Sequence, residues 1–320
     1  PIGFDWLSMT AGYSPDSALP AKERAHAAVT FHHVLWTAGL KWNEANFYDL
    51  FGPTKRSREG YSAFVSYDRP IIFDPPETMR LTANLAYFGD LDSLPGFQNV
   101  PSPTDKLLTG DIGLAYKNLR ASIGRVDDET GYSWAVLAHV YEADGEVIPS
   151  LLGQFDIGRA LPLGHSSIWL RSGAGISTGA RNNPLTKVYF GGFGNNYVDN
   201  GDAKRYRDVV RLPGFELDAR EGKSFVKSML EWNLPPRRFD NLGSPGFYAS
   251  WLRPAVFATA LVTDPDRAGY RQDAYDAGLQ FDLQLQVMHR LPMMLSFGYA
   301  RGFAGNGLGE DEFMVSFKVL

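Results

Sequence analysis

Apolar and polar residues alternate strictly along residues 278–288, which read GLQFDLQLQVM. Because successive side chains of a β-strand point to opposite faces, a period of two over this length predicts a strand with one apolar and one polar face. In a soluble sandwich the polar face would contact water, whereas in a membrane barrel it would line the lumen. The apolar face carries Leu279, Phe281, Leu283, Leu285 and Val287, and the polar face carries Gln280, Asp282, Gln284 and Gln286.

The same period recurs from the first residues to the last, while convincing helical periodicity is hard to find. The final segment, for example, places Phe313, Val315 and Phe317 opposite Glu312 and Ser316. The pattern predicts about fourteen strands, within a range of roughly twelve to sixteen. The predicted strands are residues 3–14, 25–36, 37–46, 59–69, 77–90, 108–120, 132–144, 148–160, 165–178, 223–235, 247–262, 273–289, 293–302 and 311–320.

The length of these segments separates the two architectures. Strands of soluble proteins usually have about five or six residues, whereas strands of membrane barrels need about nine to eleven. Most of the segments predicted here have roughly ten to fourteen residues, which favours strands that cross a bilayer. We therefore expect an all-β fold, a transmembrane antiparallel β-barrel that forms a single domain over residues 1–320. A soluble sandwich or a lipocalin-like barrel is the alternative.

The connectors between the predicted strands fall into two groups. One group is compact and rich in Pro and Gly: residues 68–76, 161–164 and 290–292. The other group is longer and more polar: residues 47–58, 91–107, 179–222, 263–272 and 303–310. Short turns at one end and long loops at the other are typical of outer-membrane barrels, and an even number of strands places both termini on the inner side.

Aromatic residues occur near the ends of many predicted strands. Trp and Tyr are enriched where membrane proteins meet the lipid headgroups, so these positions suit interfacial girdles. Packing in a soluble core is the alternative for any single one of them. The residues are Trp36, Trp42, Tyr48, Trp134, Trp169, Trp232, Tyr248 and Trp251.

Composition narrows the class of protein. Hydrophobic residues make up 44% of the chain and charged residues 21%, which excludes a disordered polymer. The net charge of −5 argues against nucleic acid as a partner. There is no cysteine, so disulfides, thiolate metal sites and cysteine nucleophiles are excluded. No apolar run reaches the eighteen or so residues of a membrane-spanning helix.

Four short motifs could suggest chemistry, and each has a simpler explanation. His32 and His33 point to opposite faces of a strand, so they do not share a metal. The acidic residues 127–129 lie in a predicted turn, where solvated side chains are expected. The oxygen ligands of residues 199–202 lack the rest of a calcium loop, and no nucleophile elbow surrounds residues 165–167. We therefore predict no enzyme, no catalytic residue, no metal and no cofactor.

Residues 186–236 carry a resemblance to a known family. They run from Phe190-Gly191-Gly192 through Arg211-Leu212-Pro213-Gly214-Phe215 to Glu231-Trp232-Asn233-Leu234-Pro235. This pattern resembles the bacterial surface-antigen superfamily of outer-membrane barrels, which includes BamA-like assembly factors and two-partner secretion transporters. Five strands follow the long loop in that family, and five are predicted here. Residues 46–54 are also similar to barrel domains fused behind TolB-like propellers.

The resemblance implies a place and a function. It implies a barrel in the bacterial outer membrane, with the lipid bilayer and lipopolysaccharide as surroundings and a periplasmic or surface protein as a partner. It further implies that the lumen translocates or inserts polypeptide. Two other functions stay open: a barrel that anchors an extramembrane domain or partner without transport, and a passive porin.

The resemblance also implies which residues matter. The loop at residues 179–222 would fold into the lumen, as it does in that family. It carries a basic run (Lys204, Arg205, Arg207 and Arg211) that is costly to bury unless acidic partners meet it. The predicted strands offer inward carboxylates at Glu231 and Asp282. We therefore expect Arg211 to pair with a lumen carboxylate, first of all Glu231, and Gly214 to let Phe215 pack against the wall.

Overall fold

A computed structural model describes residues 6–13, 15, 21, 24–43, 48–49, 56–93, 104–194, 198–199, 202–244, 246–288, 290–305 and 309–319. Within these ranges the protein is all-β and contains no α-helix. Short 3₁₀ turns at Pro184–Thr186 and Arg205–Arg207 interrupt the long loop. No helix of the described residues is long and apolar enough to cross a membrane. The predicted fold class is thus confirmed at the level of an all-β protein.

The strands are numbered in chain order. They are β1 Trp6–Tyr13, β2 Ala25–His33, β3 Trp36–Trp42, β4 Tyr48–Asp49, β5 Arg56–Asp74, β6 Glu77–Ser93, β7 Lys106–Arg120, β8 Thr130–Ala143, β9 Glu146–Ala160, β10 Ser167–Ser177, β11 Val188–Phe190, β12 Val198–Asp199, β13 Arg220–Gly222, β14 Ser224–Asn233, β15 Arg237–Ser244, β16 Phe247–Thr263, β17 Gln272–Val287, β18 Leu291–Ala304 and β19 Gly309–Val319.

The described strands form one large sheet of 17 strand segments and a two-stranded sheet of β11 and β13. Two segments of the large sheet, β4 and β12, have only two residues each. The long strands for which a register is defined pair antiparallel with their neighbours, as β16, β17, β18 and β19 do in succession. The short pairing of β12 with β19 is parallel. A large antiparallel sheet is therefore shown.

Each of the fourteen predicted strands corresponds to an observed strand, but several boundaries differ and further strands were missed. We expected a strand to end at residue 69, before Pro70; β5 instead continues to Asp74, and its register with β6 shifts between Pro70 and Ile72. A bulge accommodates the missing proline N–H without ending the strand. We also missed β15, which pairs with β16 after an interruption at residues 234–236. Two prolines stand in that interruption and hid the continuation.

Contacts divide the chain into two compact units. Unit 1 comprises residues 1–116, 135–153 and 176–188. Its strands β1, β2, β3, β5 and β6 form an antiparallel meander. A row of hydrogen-bonded polar side chains crosses it: Ser66 donates to Asn84 over 2.7 Å, Asn84 to Asp111 over 3.4 Å, and His139 contacts Asp111. His32 bonds Thr37 over 2.9 Å and stacks on Trp6.

Unit 2 comprises residues 117–134, 154–175 and 189–320. The exposed face of its sheet is apolar, and its buried face carries polar and charged side chains together with apolar ones. Phe281, Phe297 and Val315 are register neighbours and are 38%, 45% and 57% exposed. The next row, on the other face, contains Asp282, Ser296 and Ser316, which are at most 2% exposed. The polar face predicted from the sequence is therefore the buried one in this unit.

One of the predicted girdle aromatics lies on the buried face. Trp169 is buried, its Nε1 donates to Ser167 Oγ over 3.0 Å, and the Arg171 guanidinium lies 4.8 Å from its ring centre. Its neighbours Ile168 and Leu170 are exposed. The strand alternation decides this placement, because only every second residue of β10 can face outward. Trp36, Trp42 and Trp232 are exposed, as an interfacial position requires.

Candidate functional site: a buried charge cluster at the tip of the long loop

The long loop lies along the buried face of β14. Phe190, the last residue of β11, packs edge-on against Phe225 near the start of β14, with ring centres 4.8 Å apart. Further along, Lys227 Nζ donates to the carbonyl of Asp208 over 3.0 Å and also to that of Arg211. The turn Arg205–Arg207 reaches Glu231. From Phe225 to Glu231 the strand rises roughly 20 Å, so the loop follows most of its length.

Glycines make the loop compact. The Gly192 N–H donates to the carbonyl of Phe215 over 3.0 Å, and Gly192 also forms a β-bridge with Leu212. Gly194 has φ +80°, and a Cβ there would lie 2.3 Å from the Arg211 guanidinium. The missing side chain therefore lets Arg211 pack against the backbone of the loop itself. Positive φ is the conformation in which glycine has no steric penalty.

Glu231 is the centre of the site. It has no surface exposed to solvent, and four side chains donate to its carboxylate. From the loop come Lys204 Nζ at 3.4 Å, Tyr206 Oη at 2.6 Å and Arg207, whose Nη2 lies 2.8 Å from Oε1. From β10, Arg171 Nε donates over 2.7 Å and its Nη1 reaches Asp156 at 3.0 Å. The loop tip thus supplies most of the bonds that a buried carboxylate requires.

Asp127 is the second carboxylate of the site, and it comes from the turn between β7 and β8. Its Oδ2 accepts from Arg207 Nη2 over 2.6 Å and lies 3.0 Å from Arg253 Nη1 on β16. Arg253 Nη1 also donates to the carbonyl of Val126 over 3.2 Å. Arg207 therefore bridges the carboxylate of this turn and that of Glu231. The sequence predicted solvated acidic side chains in this turn, and this prediction was wrong for Asp127, which is paired with two arginines.

Asp282 completes the site on β17. It is fully buried and accepts from Ser296 Oγ over 2.7 Å and from Gln280 Nε2 over 2.6 Å, while Arg253 Nη2 lies 3.4 Å away. Gln280 Nε2 also donates to the carbonyl of Ala203 over 2.8 Å, directly before the loop tip. We call the carboxylates Asp127, Asp156, Glu231 and Asp282 the acidic cup, and the cup with Arg171, Lys204, Arg207 and Arg253 the tip cluster.

An apolar layer covers one side of the tip cluster. The Tyr206 ring stacks on Phe257, with centres 4.4 Å apart and planes 18° apart, while its hydroxyl bonds Glu231. Phe193 meets both rings edge-on. Met229, Ala300 and Met314 complete this buried group. A dry layer beside an ion pair lowers the local dielectric and strengthens each bond of the cluster.

A separate contact fixes the base of the loop. Glu312 on β19 accepts the Phe193 N–H and the Gly214 N–H, each over 3.0 Å. Gly214 has φ +84°, and a Cβ there would lie 2.4 Å from the Gly302 nitrogen on β18. A Cβ at Gly302 would in turn lie 2.6 Å from the Phe215 ring. Gly214 and Phe215 therefore lie against β18, where two glycines permit a very close approach.

The electrostatics of the tip cluster shift the pKa values of groups outside the strands, among them Asp127 and Lys204. Burial alone would raise the pKa of Asp127, but Arg207, Arg253 and Lys204 outweigh it and hold the pKa well below its usual range. Burial and the neighbouring Arg253 and Arg207 lower the pKa of Lys204 to about 7, despite the attraction of Glu231 and Asp282. Arg207 therefore carries the permanent charge of the loop tip.

The predicted site residues come together only in part. Glu231 and Asp282 lie in the tip cluster, whereas Gly214, Phe215 and Arg211 lie nearer the base of the loop. The expected pair of Arg211 with Glu231 was wrong: within the described residues the cations on Glu231 are Arg171, Lys204 and Arg207. Arg207 and Lys204 were part of the predicted basic run, but strand alternation could not select among its members. Asp127 and Arg171 had no sequence signal that linked them to this site.

The described residues of the other candidate motifs form no catalytic triad. His165 Nδ1 lies 2.7 Å from Glu129 Oε1 and 3.0 Å from Ser122 Oγ. A catalytic triad needs the acid and the nucleophile on different ring nitrogens, so this group simply joins two turns. In the described parts of the chain no three His, Asp or Glu side chains form a metal-binding group. Of the proposed calcium loop, residues 200 and 201 lie outside the described residues, as does most of the segment 46–54.

Comparison with known proteins adds no relative. No protein-family model matches the chain, and no curated protein matches its sequence. The similarity of residues 186–236 to the surface-antigen superfamily therefore stays a prediction from the sequence.

A double-mutant cycle tests whether Glu231 and Arg207 act as one unit. Glu231→Gln leaves one buried and two partly buried cations short of a counter-charge, and we expect it to lower the free energy of unfolding by about 3–5 kcal/mol. Arg207→Gln should have a similar effect, and the double variant should cost less than the sum by at least about 1 kcal/mol. Urea titration of the refolded protein measures these values.

Arg205→Gln is the matched control for this cycle. It removes a guanidinium from the same turn, one that donates to the carbonyl of Gly194 over 3.1 Å. The control should lose no more than about 1 kcal/mol. Additive effects of Glu231→Gln and Arg207→Gln would show that the two groups are not coupled.

The depressed pKa of Asp127 gives the site a defined acid sensitivity. A carboxyl whose pKa is lower in the folded than in the unfolded state stabilises the fold above its unfolded pKa, about 3.9, and loses this contribution as the pH falls through the folded value. Asp127→Asn should therefore reduce stability equally at pH 7 and pH 5, and the difference from wild type should shrink below about pH 4. Urea titrations at pH 7, 5, 4 and 3 measure it; a difference that already disappears by pH 5 would contradict the assignment.

Proposed function

We propose that the protein is an integral β-barrel of the bacterial outer membrane, that its own loop plugs the lumen, and that displacement of the loop lets it translocate or insert polypeptide. The main support is the distribution of side chains in unit 2, which is the reverse of that in a soluble protein: many apolar side chains are exposed, and many charged side chains are buried. Phenylalanines stand exposed on one face, while aspartate, glutamate and lysine are buried on the other. An exposed apolar face suits lipid, and a buried polar face suits a lumen.

The exposed apolar surface is larger than single scattered residues would make it. In unit 2 it includes Leu170, Val226, Leu230, Phe281 and Phe303, on four different strands. A soluble monomer rarely exposes contiguous apolar patches of more than a few hundred Å². A bilayer accounts for such a face without a protein partner. The alternative of a soluble sandwich would require the opposite arrangement of the two faces.

The packed loop argues against a passive porin. Side chains of Phe193, Tyr206, Leu212 and Phe215, all in the loop, are fully or almost fully buried against the strands of unit 2. A porin keeps a water-filled lumen, whereas this face of the sheet is occupied by the loop. Conduction would therefore need the loop to move.

The chemistry of the contact favours a movable loop over a permanent plug. A buried salt-bridge cluster contributes little net stability compared with well-packed apolar residues, because desolvation offsets the attraction. Such a cluster can instead select one of two arrangements of a segment. The function as a non-transporting anchor is the second candidate, and the saturation of Glu231 by four donors favours it.

The exposed face provides a direct test of membrane insertion. Phe297 lies in the middle of β18 and is 45% exposed. In lipid, Phe297→Arg should lower stability by about 2–4 kcal/mol more than Phe297→Ala, because a charge near the bilayer midplane is costly. In water the two variants should differ by no more than about 0.5 kcal/mol. Urea titration in lipid vesicles decides, and equal effects would contradict a lipid-facing position.

Planar bilayers distinguish the three functions of the barrel. A gated translocation barrel should be closed at rest and show brief openings, and these should become longer in Arg207→Gln because the loop tip loses its permanent charge. A permanent plug should stay closed in both proteins and open only when residues 195–220 are deleted. A steady large conductance of the wild type would indicate a porin and overturn the plug. Arg205→Gln serves as the control and should behave as wild type.

A further inference from the structure

The acidic cup is more negative than the strands that carry it can neutralise. It contains four carboxylates, Asp127, Asp156, Glu231 and Asp282, and the sheet supplies two arginines, Arg171 and Arg253. Two negative charges therefore remain, and the loop tip meets them with Arg207, which is always charged, and with the ammonium form of Lys204. If the loop moves away, the cup keeps two uncompensated charges in a largely buried place, which is costly unless another cation enters.

The contacts of the loop tip define what the cup recognises. The cup takes a guanidinium that bridges two carboxylates, Glu231 and Asp127, through Nη2 and Nε of Arg207. Beside the cup, the ring of Tyr206 stacks on Phe257, and the Tyr206 hydroxyl donates to Glu231. Gln280 is uncharged, and its side-chain amide donates to the backbone carbonyl of Ala203. Guanidinium, aromatic ring and peptide carbonyl are all features of a polypeptide.

We propose that the acidic cup is a binding site for a basic segment of a guest polypeptide that carries an aromatic residue beside arginine or lysine, and that the loop tip occupies it as an internal competitor. The inference rests on the proposed function, because a guest needs access to the lumen. It adds the class of the guest and the residues that bind it. The loop tip and the guest exclude each other, so a guest that binds the cup holds the loop away.

A peptide with the sequence of residues 202–209, DAKRYRDV, is the probe. A fluorescent label on its N-terminus reports binding to the refolded full-length protein in detergent micelles by anisotropy. The variant K204Q/R207Q removes the internal competitor's charges and leaves the cup intact. It should bind the peptide at least tenfold more tightly than the wild type does. Introducing Glu231→Gln and Asp127→Asn into that variant should abolish the gain.

Three controls make the test specific. A peptide with glutamine at its three basic positions should not bind, and spermidine, which has charge but no aromatic ring, should compete far less well than unlabelled peptide. Arg205→Gln should bind no more peptide than the wild type does. Equal affinity of wild type and K204Q/R207Q, binding of the glutamine peptide, or competition by spermidine as effective as that by the peptide would each overturn the proposal.

Folding of the variants is checked by electrophoretic migration before and after boiling. If K204Q/R207Q does not fold, Arg207→Gln takes its place, since it removes the bridging guanidinium alone; a gain of less than threefold in peptide affinity would then overturn the proposal. The two hypotheses fail differently. Peptide binding without any conductance or membrane insertion would leave the site and refute the outer-membrane function. Bilayer openings without peptide binding would leave the function and refute the site.

Discussion

A carboxylate that has lost all contact with water must be paired, and Glu231 is such a carboxylate. Its position on β14 is fixed by the strand alternation, which also turns Val226, Leu230 and Trp232 outward. The partners must therefore come to it. They do so from three directions: Arg171 from β10, the loop tip with Lys204, Tyr206 and Arg207, and, through Arg207, Asp127 from the turn after β7. The path of the loop and the fold of that turn both follow from this one requirement.

The loop is held by two kinds of contact with different physical character. At its base, Glu312 binds two backbone N–H groups and Gly214 approaches β18 closely, so the contact depends on backbone geometry. At its tip, the contact depends on side-chain charges, which respond to salt, pH and competing cations. A loop that moved would separate more readily at the tip than at the base. The division of roles suits a hinge at Glu312 and a releasable end at Glu231.

The aromatic layer ties the two contacts together. Phe193 stands beside the base contact, since its N–H binds Glu312, and its ring meets Tyr206, whose hydroxyl binds Glu231. Phe257 on β16 stacks against Tyr206. The layer excludes water from one side of the ion pairs, which makes them stronger while they are formed and costlier to leave unpaired. Displacement of the tip therefore exposes an apolar surface and an acidic surface at the same time, and a basic aromatic segment complements both.

The sequence by itself determined the strands and their faces. A period of two is a property of the local chain, so it located fourteen strands and separated Phe281 from Asp282. It failed where the pattern was interrupted for a local reason that the sheet tolerates, at Pro70 in β5 and at the prolines before β15. Together with the family resemblance, it led to the expectation that the basic run of the loop meets Glu231, because buried charges need counter-charges. Lys204 and Arg207 of that run do bind Glu231, whereas the ion pair of Asp282 is with Arg253.

Only the tertiary structure decided which charges meet. Arg207 rather than Arg211 binds Glu231, because the turn at residues 205–207 presents its guanidinium to the end of β14, while Arg211 packs on Gly194. Asp127 and Arg171 are 104 and 60 residues from Glu231 along the chain. They come close to it only because strands that are distant in the sequence lie together in the sheet. Periodicity fixes the face on which a side chain lies, but it carries no information about which loop residue reaches that face. That choice depends on the folded path of the loop and on the pairing of strands far apart in the chain.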